Sequence, residues 1–176
     1  MKNIDGVSIP TKGAKEYLEI TDKALVQFGR GSFSVSIWVN FQDEGGLQSG
    51  QFIGTRNSNR PYYRSKGWSQ GSGDMKDEIR FTIDDGEKLS TVAASSRIDG
   101  KFDFSGWNHL SAIRDVKNQE IRLYVNGELA AKAKDQTGDL TSPHPLVIGY
   151  DYMTGNCLNG LIDDIKLHSR PIAIKP

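Results

Sequence analysis

One cysteine, three histidines and equal numbers of acids and bases leave this 176-residue chain without the raw material of several function classes. The single thiol, Cys157, excludes an internal disulfide, a cysteine zinc cluster and a redox pair, and reads as a small packed residue. Lys plus Arg and Asp plus Glu both number 22, so no net field draws the chain to nucleic acid or to an anionic membrane, and any charged site must be local. No apolar run reaches the 18 residues that suggest a membrane-spanning helix, so membrane insertion is not expected. The start, Met1 to Asp5, has no apolar signal-peptide core, which does not assign a cytoplasmic home because a mature or excised chain reads the same way. A sustained 3.6-residue apolar stripe is also missing.

What is present is period-two alternation. Phe33, Val35, Ile37, Val39 and Phe41 alternate with Ser34, Ser36, Trp38 and Asn40, the pattern of a strand with one face in a core. The rhythm returns at Ile79, Phe81 and Ile83, ending in Asp84-Asp85-Gly86, and again at Ile121, Leu123 and Val125. Asn126-Gly127 tolerates positive φ at both turn centres, which predicts a hairpin of 120–125 with 128–134. Further strands are expected at 16–20, 51–55, 89–94, 107–114, 146–150 and 158–167. Many short strands with Gly-rich and Asp-rich turns predict an all-β, two-sheet antiparallel sandwich. The length fits a single domain, 1–176, long enough to bury about 70% of the surface its unfolded form exposes.

Two stretches interrupt the alternation. Residues 56–76 are polar, rich in Gly and Ser, and hold Arg56, Arg60, Tyr62, Tyr63, Arg64 and Trp68, which reads as a long functional loop. Near the C-terminus, Asp163 and Asp164 sit inside an apolar strand, where an uncompensated buried carboxylate would cost several kcal/mol. Neighbours on a strand point to opposite faces, so the two acids cannot address one ligand unless a bulge intervenes.

Several local motifs occur in order: Tyr17-Leu18-Glu19-Ile20, Gly31-Ser32-Phe33-Ser34-Val35-Ser36-Ile37-Trp38-Val39, Lys66-Gly67-Trp68, Ile79-Arg80-Phe81-Thr82, Trp107-Asn108-His109-Leu110, Leu123-Tyr124-Val125-Asn126-Gly127, Ile148-Gly149-Tyr150-Asp151, and Gly160-Leu161-Ile162-Asp163-Asp164-Ile165-Lys166-Leu167 before Arg170-Pro171-Ile172. Together they resemble the laminin-G-like branch of the concanavalin A-like lectin/glucanase superfamily over nearly the whole chain. The resemblance implies a jelly roll with one concave sheet and ligand loops along its rim, on a superfold that hosts hydrolases, lyases, lectins and adhesion modules. It also implies a structural calcium ion, for which the matching residues are Asp163 with Asp5 and Gly6. The competing reading has Asp163 accepting backbone N–H bonds and Asp164 facing water.

Catalysis is disfavoured. Glycosidases place two carboxylates roughly 5 Å or 6.5–9.5 Å apart, and the Glu-x-Asp-x-x-Glu run that the superfamily's retaining glucanases carry is missing, as are lyase signatures. Sugars present apolar C–H faces and hydroxyl rims, which call for aromatic platforms beside planar hydrogen-bonding groups. Arg56, Arg60, Tyr62, Tyr63, Arg64 and Trp68 supply both, and the arginines suit an acidic polysaccharide. Tyr150, Asp151 and Tyr152 lie on a loop that borders the ligand rim in lectins of this kind. Trp38, facing away from the core stripe, is expected under a loop, and Trp107, opening a strand, is expected in the core. The leading expectation is a non-catalytic carbohydrate-binding module of a secreted or cell-surface bacterial glycan-processing protein. A protein-binding adhesion module is the alternative, and a cryptic hydrolase or lyase the third reading.

Overall fold

The computed structural model describes residues 2–4 (backbone only), 17–41, 51–56, 65–72, 78–95, 106–152, 155, 157–160 and 161–174. Its strands are β1 (Lys2–Ile4), β2 (Leu18–Ile20), β3 (Phe33–Phe41), β4 (Gln51–Gly54), β5 (Gly67–Ser72), β6 (Glu78–Asp84), β7 (Leu89–Ser95), β8 (Trp107–Asp115), β9 (Glu120–Val125), β10 (Glu128–Lys134), β11 (Leu146–Ile148) and β12 (Gly160–His168). One short helix, α1 (Lys23–Val26), is capped by the Asp22 carboxylate, which accepts from the Ala24 N–H.

The strands form two six-stranded sheets, in the orders β1-β12-β3-β8-β9-β10 (sheet A) and β2-β11-β4-β5-β6-β7 (sheet B), with antiparallel pairing throughout. The expected all-β sandwich is therefore what the chain forms. Alternation decides which side chains meet between the sheets. Phe33, Val35, Ile37 and Val39 of β3 are fully buried, and so are Phe81 and Ile83 of β6. Phe33 is the hinge of this packing, stacked on Phe28 at 4.3 Å and touching Trp68 and Phe81 from the opposite sheet.

The hairpin between β9 and β10 turns on Asn126 and Gly127 with φ of 52° and 85°, as the dipeptide predicts. Strand β12 lies so close to β3 that a Cβ at Gly160 would come within 2.4 Å of the Asn40 carbonyl oxygen, so only glycine fits there.

The strand β12 is also bulged. Asp163 pairs with Trp38 but Lys166 pairs with Ser36, so β12 carries one extra residue, and Asp164 takes up the slack at φ 47°. Ile162 and Ile165 both remain buried on the core side. The bulge overturns the expectation that the two acids face opposite ways. Asp163 is exposed opposite outward-facing Trp38, while Asp164 pairs with Lys166 and acts electrostatically on outward-facing His109.

Polar anchors hold the loops at the opposite end. Lys66 at the start of β5 reaches Asp139 at 3.3 Å, and Asp139 also accepts from the Thr141 hydroxyl at 2.7 Å and N–H at 3.0 Å. The Thr141 hydroxyl and N–H, with Lys66 beside them, hold the Asp139 carboxyl down at about 2 from its ordinary 3.8. A carboxylate depressed in the folded state stabilises the fold above its ordinary value and loses that contribution as the pH falls through the depressed one. The Tm gap between the wild type and Asp139→Asn is therefore expected to be largest above pH 3.8 and to close towards pH 2. A gap independent of pH in a melting series would show that the charge of Asp139 has no part in it.

Candidate functional site

Among the described residues, three tyrosines meet at the end of sheet B where β2 and β11 pair. Pairing of Ile148 with Leu18 brings the residue before β2, Tyr17, beside the residues that follow β11. Gly149, at φ 84°, donates its N–H to the Phe52 carbonyl and accepts from the Leu158 N–H, turning the chain out of the sheet. Gly155, at φ 72°, donates to the Asp151 carbonyl, and Tyr150 bridges to Cys157 across the turn. The loop stems are thus fixed by backbone bonds, and the rings they carry are fixed in turn.

Tyr17 and Tyr150 stack with centroids 4.8 Å apart and planes 16° from parallel. Tyr152 stands edge-on to both, at 5.1 Å from Tyr150 and 5.9 Å from Tyr17. Tyr150 is buried under this arrangement, whereas Tyr152 is 39% exposed. Mutual packing restricts the rings before any ligand arrives, which lowers the entropy cost of using them as a platform. Asp151 is buried between them in sequence and is engaged within the protein.

Of the residues expected from sequence, Tyr150, Asp151 and Tyr152 are brought together here, and Tyr17 joins them. Tyr17 was read only as part of an edge strand. The signal that could have found it is the antiparallel neighbourhood of the strands at 16–20 and 146–150, which places both tyrosine-bearing ends side by side.

The loop reading of 56–76 is corrected at two residues. Trp68 lies on β5, is 1% exposed and packs against Phe28 and Phe33, so it is a core residue and no sugar platform. Arg56 is 2% exposed, and its guanidinium stands 3.6 Å from the Asp84 carboxylate with both side chains fully enclosed. A guanidinium spent on an internal carboxylate cannot reach an acidic ligand. Asp84 also accepts from the N–H groups of Ser65 and Gly86, so it ties both stems of residues 57–64 to the end of β6. Arg60, Tyr62, Tyr63 and Arg64 lie outside the described residues, as do Asp5 and Gly6.

Two tryptophans are corrected as well. Trp107 was expected in the core but is 43% exposed, because it pairs with outward-facing Asn40. Trp38 was expected under a loop but is 36% exposed and tilts against His109 at 5.1 Å.

Asp163 accepts the Asp164 N–H at 2.7 Å, the backbone-anchoring alternative to calcium. Calcium takes six to eight oxygens. Among the described residues no group of three His, Cys, Asp or Glu side chains could hold a metal ion, so these residues alone do not make a calcium shell. A separate cleft of about 380 Å³ opens between α1 and the end of β12, walled by Ile20, Leu25, Val26, Phe28, Ile165 and Leu167. Tyr17, Tyr150 and Tyr152 do not line it.

The two packed antiparallel sheets define a jelly-roll sandwich. Residues 12–173 match the laminin G family described as concanavalin A-like lectin/glucanases superfamily, and the chain belongs to that family. No curated protein matched the chain. Among solved structures, the CBM40 domain of the Ruminococcus gnavus IT-sialidase superposes with a TM-score of 0.70 at 12% identity, covering 97% of this chain and 93% of that one. The same domain bound to alpha2,3 sialyllactose gives a TM-score of 0.70 at 14% identity, with the same coverage. The binding domain of Paraclostridial Mosquitocidal Protein 1 gives 0.69 at 17% identity, over 97% of this chain and 42% of that one.

Proposed function

We propose that the domain is a non-catalytic carbohydrate-binding module that takes its ligand at the Tyr17–Tyr150–Tyr152 rim. The observation that carries this reading is the mutually packed tyrosine trio with one ring left exposed, on the rim of a lectin-type sandwich. A pyranose C–H face can lie on Tyr152 while the phenol hydroxyls meet the sugar's hydroxyl edge. The CBM40 neighbour, whose structure is described as bound to sialyllactose, supports a glycan as the ligand class. In this reading the domain serves a secreted or cell-surface glycan-processing protein.

A ring contact worth about 1.4 kcal/mol corresponds to tenfold in affinity. Tyr152→Ala is therefore expected to weaken glycan binding about tenfold in calorimetry, with Tyr152→Phe intermediate and the Tm of both near wild type. Equal affinity of wild type and Tyr152→Ala for every glycan that binds would remove the rim from the reading. Calcium remains a second proposal, resting on Asp163 with Asp5 and Gly6. Its check is a Tm that rises with calcium and falls with EDTA, and indifference to both would dismiss it.

A further inference from the structure

The outer face of sheet A is divided into a covered and an uncovered half. After β12 the chain folds back across it, with the Ser34 hydroxyl donating to the Arg170 carbonyl at 2.9 Å and accepting from the Ile172 N–H at 3.1 Å. Beneath that segment Ser34 is fully buried although it points outward, and its strand partner Ile113 is fully buried on the same face. Next along the strands the outward-facing pair Ser36 and Ser111 is still buried, and beyond it Trp38 and Trp107 stand 36% and 43% exposed with no comparable segment over them among the described residues.

Register sets the geometry of this uncovered half. Trp38 is opposite His109 and Trp107 is opposite Asn40, so the two indoles are diagonal neighbours on one face, spaced about 7–8 Å at the backbone. Half-buried His109 tilts against Trp38 and continues the strip. Desolvation and the Lys166 charge hold its pKa below the ordinary 6.5, so the ring is neutral at neutral pH. On the β12 side lie Asp163, exposed, and Asp164, which is paired with Lys166.

We propose that this strip of Trp38, His109 and Trp107 is a second glycan-contact surface, on the sheet opposite the tyrosine rim, and that it takes an uncharged stretch of polysaccharide. The inference rests on the carbohydrate-binding reading of the domain. Charge selects the ligand: Lys166, the cation that acts on His109, is already paired with Asp164, and Asp163 adds an exposed acid at the edge, so among the described residues the strip offers a carboxylate or sulfate no unpaired cation. Area selects against a protein. A fully buried tryptophan removes at most about 250 Å² from water, so roughly 40% exposure leaves about 100 Å² per indole, and the two together fall short of the roughly 300–600 Å² apolar patches that mark protein interfaces. A sugar chain needs only ring faces, which the two indoles supply. Two faces able to hold separate stretches of glycan would also raise avidity on a polymer without any new contact.

The test measures wild type, Trp107→Gln, Trp38→Ala and Tyr152→Ala against a soluble β-glucan, a xylan, a galactomannan and sialyllactose, with Tm and sedimentation in parallel. The tryptophan variants are expected to lose at least tenfold in affinity for a neutral polysaccharide and to keep wild-type affinity for glycans held at the tyrosine rim. Trp107→Gln carries the test if Trp38→Ala melts early. Unchanged neutral-polysaccharide binding in Trp107→Gln overturns the inference and leaves the tyrosine rim standing, and so does a wild type that binds sialyllactose but none of the three polysaccharides. A wild type that binds no glycan overturns both readings. Self-association abolished by Trp107→Gln overturns the inference in favour of a second copy as the occupant.

Discussion

Replacing Arg114 by methionine is expected to cost about 3–5 kcal/mol, the penalty for removing one partner of a buried ion pair. Arg114 is 1% exposed on β8, and its Nε lies 2.8 Å from the Asp135 carboxylate. Its two terminal nitrogens donate to the carbonyls of Gly29, Gly31, Thr137 and Gly138, and to the Thr137 hydroxyl. One guanidinium thus joins the loop before β3 to the chain after β10, and no other side chain has the donors to replace it. Methionine would leave Asp135 charged and those carbonyls without their donor. For a chain of this size the Tm is expected to fall by about 6–20 °C. Because the pair acts as a unit, adding Asp135→Leu should cost far less than the sum of the single changes. A Tm within a degree or two of wild type for the single variant would contradict this.

Trp68→Ala is expected to lower stability by about 3–5 kcal/mol, as for other large-to-small changes in a core. The indole is 1% exposed among Phe28, Phe33 and their neighbours, and the cavity left by alanine would lie between the sheets. Trp68→Phe should cost much less, since it keeps an aromatic ring and discards a buried Nε1 that finds no hydrogen-bond partner among the described residues. Urea melts separate this from the loop-platform reading of the same residue. A ligand-contacting Trp68 would lose glycan affinity at unchanged stability, and that result would move it out of the core.

How Trp68 was misread shows what the chain declares and what it hides. Strand β3 was legible because five apolar residues alternate with polar ones, and the β9–β10 hairpin because Asn126-Gly127 meets a specific backbone need. Strand β5 has no such rhythm: Gly67–Ser72 is buried on both faces, so small and polar residues replace the apolar stripe and the segment reads as loop. The bulge in β12 was illegible for a related reason. A residue at positive φ is usually flagged by glycine, and here it is Asp164. Without the bulge, simple parity sends the two acids to opposite faces.

The candidate site was half visible. Tyr150, Asp151 and Tyr152 are adjacent in sequence, so a single loop announces them, whereas Tyr17 joins them only through the pairing of β2 with β11. Arg56 looked available because local arginine density carries no information on burial. Its enclosure depends on Asp84, 28 positions away on β6. Trp107 could have been placed from register: once β3 is oriented by Val39, the partner of Asn40 must point outward.

Backbone amide chemical shifts followed during titration with a glycan that the domain binds test the central claim most directly. The account predicts that the largest perturbations fall at Tyr17 and at Gly149 to Tyr152, and that they vanish when Tyr17 and Tyr152 are both replaced by alanine in a protein that still melts cooperatively. Perturbations that leave those residues untouched, or that survive the double replacement, would contradict it.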